Sequence, residues 1–120
     1  PLRDPSISYN RALIELQAEL KVAATAVTKA AVHLNLAIVH MRLANWDEAL
    51  IELKDAVLPD GAGVSAGTAA YLAGLANEAS GRAAEAQAAF AKAAASADAR
   101  LSVDGPLIAS LAQQKLLPRR

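Results

Sequence analysis

AVHLNLAIVHMRLANWDEALIELKDAVL, residues Ala31 to Leu58, decides the fold. In its first half Leu34, Ala37, Ile38 and Met41 recur at the steps that place them on one face of a helix. Trp46, Ala49, Leu50, Leu53, Ala56 and Val57 repeat that pattern in the second half. Between them Leu43-Ala44-Asn45-Trp46 reads as a tight turn, because Asn tolerates left-handed backbone, and Asp47 and Glu48 then set negative charge at the positive N-terminus of the next helix. The stretch predicts a helical hairpin. One hairpin cannot bury both of its faces, so neighbours of the same kind are expected to stack on it.

Composition agrees with that expectation. The 120 residues suffice for one domain with a single core. Alanine is abundant and aromatics are only 3%, a mixture that favours helices packed closely through small side chains over a sheet, so the predicted class is all-α. Twelve basic and twelve acidic residues cancel, which removes the broad positive field that nucleic acid or an anionic membrane would require. The absence of cysteine excludes disulfides, thiolate metal ligands and cysteine nucleophiles. No stretch reaches the length of an uncharged membrane span, and PLRDPSISYN lacks the apolar core of a signal peptide, so a soluble cytoplasmic protein is expected.

Outward from the central hairpin, Pro1 to Pro5 reads as a lead, with Ser6 as cap of a first helix over 7–22. Its apolar face is Leu13, Leu16 and Leu20, and Arg11 and Glu15 are spaced as an i,i+4 pair. Between Val22 and Lys29 neither Pro nor Gly intervenes, so a break there rests on the weak helix propensity of Thr25, Val27 and Thr28. The alternative is one continuous helix whose seam runs Leu13, Leu16, Leu20, Ala23, Val27, Ala30, Leu34, Ala37 and Met41. The central hairpin is bounded at 30–58. Pro59 to Gly67, with one Pro and three Gly, is the clearest loop. A second hairpin over 68–97 turns at Ser80-Gly81, and Asp104-Gly105-Pro106 signals a capping helix over 106–117.

Self-comparison strengthens the hairpin reading. RALIELQAEL (Arg11 to Leu20), EALIELKDAV (Glu48 to Val57) and EAQAAFAKAA (Glu85 to Ala94) match one another, with Ala12, Ala49 and Ala86 spaced 37 residues apart. Four residues after each alanine stands a large apolar residue, Leu16, Leu53 or Phe90, as close packing around a filled core requires. The pattern resembles the tetratricopeptide repeat (TPR) family, whose unit is a helix-turn-helix of about 34 residues. The central copy carries the resemblance in Asn35-Leu36-Ala37, His40, Ala44, Trp46, Ala49, Leu53 and Ala56; the second carries it in Gly74, Gly81, Ala86, Phe90 and Ala93, and departs from it at Ala70, Ala73 and Asn77. The first copy lacks its leading helix, as a piece cut from a longer array would. The resemblance implies an α-α superhelix of hairpins, closed by a C-terminal capping helix, in a single domain over 1–120.

The same resemblance implies a function. Such proteins bind a peptide or partner helix in a concave groove lined by the first helix of each hairpin, which here would be Leu34, Asn35, Ile38, Met41 and Arg42 followed by Thr68, Tyr71, Leu72, Leu75 and Glu78. That lining, largely apolar with one amide, one cation and one anion, suits an amphipathic helix or extended apolar segment. The competing role for Leu34, Ile38, Leu72 and Leu75 is ordinary core. A subfamily that clamps C-terminal carboxylates uses Lys and Arg where Thr68 and Leu72 stand, so that activity is not expected. The expected function is a non-catalytic adaptor, scaffold or chaperone-like module for a protein partner; the small chaperones of type III secretion systems are similar in size and kind. Self-association is the alternative, as a homodimer through the first helix, whose Leu13, Leu16 and Leu20 lack a full cover.

Chemistry beyond binding finds no residues to carry it. His33 and His40 lie two turns apart on one helix, too far to grip one metal together, so no metal or cofactor is expected. The glycine loop GAGVSAG follows a helix and lacks the Lys-Ser/Thr of a phosphate loop, which makes it a linker. Asp47 and Glu48 point in different directions and serve the helix dipole. Trp46 is expected in the core on its place in the apolar stripe. No nucleophile, base and orienting group stand together, so an enzyme is not expected.

Overall fold

The computed structural model describes residues 5–59, 63–96 and 108–116, and every element among them is a helix. Six are present: α1 (Pro5–Val22), α2 (Ala26–Arg42), α3 (Trp46–Ala56), α4 (Ala66–Ala79), α5 (Ala83–Ala94) and α6 (Ile108–Leu116). The class is all-α. Contacts divide the chain into two compact units, Pro1–Val64 and Ser65–Arg120, with the division inside the loop expected at Pro59 to Gly67.

In the first unit, α1 begins at Pro5 rather than Ile7. Proline's fixed φ and missing N–H suit the first turn of a helix, so Ser6 lies inside the helix and is not its cap. The break after Val22 is real, and its cause is Thr25. This residue sits in extended backbone (φ −123°, ψ 157°), and its hydroxyl accepts from the Thr28 N–H at 3.1 Å, closing the N-terminus of α2. One continuous helix is thereby excluded. α2 then packs against α1 on one side and α3 on another. Ala30, Val32, Leu36 and Ala37 are its buried residues, and Ala49, Leu53 and Ala56 are those of α3. His33 Nδ1 meets Glu52 Oε2 at 2.7 Å, which ties α2 to α3 midway along the hairpin. Trp46, in the first turn of α3, is half-buried instead of fully enclosed.

The second unit builds its core between α4, α5 and α6. Ala86, Phe90 and Ala93 are the buried residues of α5, each 37 positions after Ala49, Leu53 and Ala56. The repeat seen in the letters is thus a repeat in burial. Phe90 is fully enclosed and lies over Gly74, where an added Cβ would meet the ring at 2.5 Å. Tyr71 approaches the same ring with centroids 5.9 Å apart and planes tilted by 53°. α6 covers the open side with Ile108 and Ala112, both fully buried. The Asp104-Gly105-Pro106 start expected for that helix lies outside the described residues.

Both hairpins turn through the same backbone motif. After α2, the Ala44 N–H donates to Met41 O at 3.1 Å and the Asn45 N–H to His40 O at 2.8 Å; after α4, Gly81 donates to Glu78 O at 3.2 Å and Arg82 to Asn77 O at 2.8 Å. These are the paired bonds of a Schellman end, with the left-handed residue at Ala44 (φ 60°) and Gly81 (φ 83°). The left-handed residue of the first turn is therefore Ala44 and not Asn45. Asn45 lies one position further on, at φ −88°, where its side-chain nitrogen meets His40 Nδ1 at 3.3 Å. The second turn repeats that link, with Arg82 Nε donating to Asn77 Oδ1 at 3.0 Å.

Two stability measurements follow from this packing. Gly74→Ala should gain about 1 kcal/mol in helix propensity and lose about 1–3 kcal/mol in overpacking against a ring that has no room to move. We expect net destabilisation in urea, partly relieved when Phe90→Leu is added. Ala44→Gly should stabilise the first hairpin by about 0.5–1 kcal/mol, because the left-handed backbone costs an alanine more than the glycine adds in unfolded-chain entropy. A loss of stability on Ala44→Gly would contradict this account of the turn.

Candidate binding surface

A helix that serves as a binding surface must be fixed on one side and open on the other, and α2 meets that condition. Ala30, Val32, Leu36 and Ala37 hold it in the first unit, while Val27, Ala31, Asn35, Ile38 and Arg42 are exposed. At about 100° per residue these five fall within roughly 80° of the helix circumference. Val27 is 50% exposed and Ile38 37%, so the face is apolar, with an amide at its middle and a guanidinium at its C-terminal end. Leu34 and Met41 are half-buried at its margin.

The charge on this helix has one sign. The α2 sequence, AVTKAAVHLNLAIVHMR, contains no Asp or Glu. Arg42 lies in the last turn, where the helix dipole favours a cation. An apolar stripe ending on a guanidinium can accept a segment with aliphatic side chains and a carboxylate near one end.

Of the ten residues expected to line a groove, those on α2 and those on α4 have different surroundings. Asn35, Ile38 and Arg42 are exposed, and Leu34 and Met41 lie beside them on the same helix. On α4, Thr68, Tyr71 and Leu72 are buried. Tyr71 packs on Phe90, and Leu75 packs against the same cluster. Glu78 is half-buried and accepts from Lys115 Nζ of α6 at 3.0 Å. Tyr71, Leu75 and Glu78 are thus engaged within the second unit. Val27 and Ala31 extend the open face of α2 toward its N-terminus and are absent from the expected lining. Their spacing, eight and four residues before Asn35, was the available signal.

His33, one of the two histidines weighed as a metal ligand, is paired with Glu52, and His40 meets Asn45. Among the described residues no group of three or more His, Cys, Asp or Glu could hold a metal ion. No helix among them is long and apolar enough to cross a membrane.

The two sides of α2 should separate cleanly under mutation. Leu36→Ala, at a position only 2% exposed, should cost about 2–5 kcal/mol in denaturant unfolding. Val27→Ala should cost less than about 0.5 kcal/mol. Equal costs would mean that the open face is not where the structure puts it. Against known proteins, no family model, curated protein or solved structure matches the chain, so the case for this surface rests on its own residues.

Proposed function

We propose that this protein is a non-catalytic interaction module that holds a peptide or amphipathic helix of a partner protein against the exposed face of α2. The observation that carries the reading is the line Val27, Ala31, Asn35, Ile38 and Arg42, open on a helix whose other side is anchored by four buried residues. Aliphatic side chains of the partner would cover Val27, Ala31 and Ile38. Asn35 would hydrogen-bond a polar group of the bound segment, and Arg42 would meet its carboxylate. The resemblance to tetratricopeptide repeats supports the same reading, since that family presents the first helix of each hairpin to its ligands. An adaptor, assembly factor or chaperone-like role fits such a surface, with the partner's own chain supplying the specificity.

A photo-crosslinking residue at position 38, compared with one at the exposed Ala88 of α5, tests the assignment in lysate of the source cells. A discrete protein adduct is expected at position 38 and not at 88. A Val27→Asp, Ile38→Gln double variant should bind that protein at least about tenfold more weakly, a loss of about 1.4 kcal/mol. Its circular dichroism should be unchanged, since Asp in the first helical turn is favourable and both positions face outward. The same adduct from both positions, or undiminished binding by the double variant, would overturn the proposal.

A further inference from the structure

Helix α1 carries apolar residues on two sides, and only one of them is covered. None of its 18 residues is buried. Tyr9, Ala12, Leu13, Leu16 and Leu20, all half-buried, form the side turned to α2. On the opposite side Ile7 is 60% exposed, Ile14 68% and Val22 79%, with exposed Ala18 between the last two. Their spacings of seven, four and four keep these four residues within roughly 80° of one another around the helix. This outer line is distinct from the leucine face on which the sequence places self-association.

The polar residues around that line are self-complementary when two helices run antiparallel. By the same rotation Arg11 falls inside that arc and Glu15 just past one edge of it, with Asn10 and Gln17 beyond the other edge, all four exposed. Let two α1 helices pack antiparallel about a twofold axis at Ile14, so that each flank faces its own copy. At about 1.5 Å per residue, Arg11 then lies about 3 Å along the axis from Glu15 of the second copy, and Asn10 about 1.5 Å from Gln17. Asn10 already donates through Nδ2 to Ser6 O at 2.8 Å, which orients its amide on that flank.

We propose that the outer face of α1 binds a second copy of this chain, forming an antiparallel homodimer that crosses at Ile14, with reciprocal Arg11–Glu15 ion pairs. The 18-residue helix is about 27 Å long, and pairing over that length buries on the order of 1,000 Å² in total. That area lies at the lower limit for a specific contact, so a weak dimer is expected, with association sought from about 1 µM to about 1 mM. The face is separate from the α2 surface of the proposed function and stands whether or not that surface binds a partner.

Sedimentation equilibrium of the full chain across that concentration range tests the proposal. The natural chain is expected to pass from monomer to dimer, and Ile14→Glu, at an exposed position, to stay monomeric with unchanged circular dichroism. Arg11→Glu and Glu15→Arg alone should each weaken the dimer at least about tenfold, since each puts like charges across the interface. Mixing those two variants should restore association, because every cross-chain pair is then opposite in charge. A natural chain that is monomeric throughout, a dimer indifferent to Ile14→Glu, or a mixture no more associated than its parts would each overturn the proposal.

Discussion

The hairpins depend on how closely two helix backbones approach, and small residues set that distance. At Gly74 the backbone of α4 comes so near Phe90 that no Cβ fits between them. The large ring therefore fills the space a side chain on α4 would have taken, and it does so with no exposure to solvent. One repeat earlier the corresponding residues are Ala37 and Leu53, a slightly larger residue on the first helix and a smaller one on the second, both buried. The exchange of volume between the two members of the pair keeps the interior filled, as a close-packed core demands. Alanines at 49, 56, 86 and 93 sit on either side of these large residues and are themselves buried. A bulkier set there would push the helices apart and undo the turns that join them.

Those turns show what was legible in the letters and what was not. The second could be read directly, since Gly81 is the residue a left-handed helix end prefers. The first could not, because Asn45 looks like the better left-handed residue and Ala44 does not advertise a positive φ. Backbone geometry decided the matter: the two Schellman bonds require the left-handed residue immediately after the last capped position, and that position belongs to Ala44. Asn45 found a different use, reaching back to His40 as Arg82 reaches back to Asn77. The break at Thr25 was legible only as weak propensity, whereas its cause is a specific hydroxyl acceptor at the helix start.

Periodicity located the candidate surface in part, because it reports which residues share a face and not what covers that face. Asn35, Ile38 and Arg42 could be placed together on α2 from spacing alone, and they are exposed. The same spacing groups Thr68, Tyr71, Leu72, Leu75 and Glu78 on α4, yet Tyr71 lies against Phe90 and Glu78 is held by Lys115. The difference arises from contacts distant in sequence. Lys115 stands 37 residues beyond Glu78, on a helix whose position no local pattern encodes. Apolar composition gave no warning either, since Leu34 and Leu72 look alike as letters and differ only in their neighbours.

Helix α1 presents the converse problem. By sequence it is a copy of α3 and α5, yet the register that gives buried Ala49, Leu53 and Ala56 in α3 gives Ala12, Leu16 and Glu19 in α1, where the first two are half-buried and the third is exposed. A carboxylate cannot occupy the enclosed place of Ala56 or Ala93 without a partner for its charge. Glu19 therefore marks α1 as a helix that has departed from the packing of its repeats. Its apolar residues are divided between a leucine side toward α2 and an isoleucine side toward solvent. Ile14 has a counterpart at Ile51, which is also exposed at 59%, so outward isoleucine at this register is not peculiar to α1. What distinguishes α1 is that Ile7 and Val22 continue the line along the helix, so that three exposed aliphatic side chains share one arc with Arg11 among them.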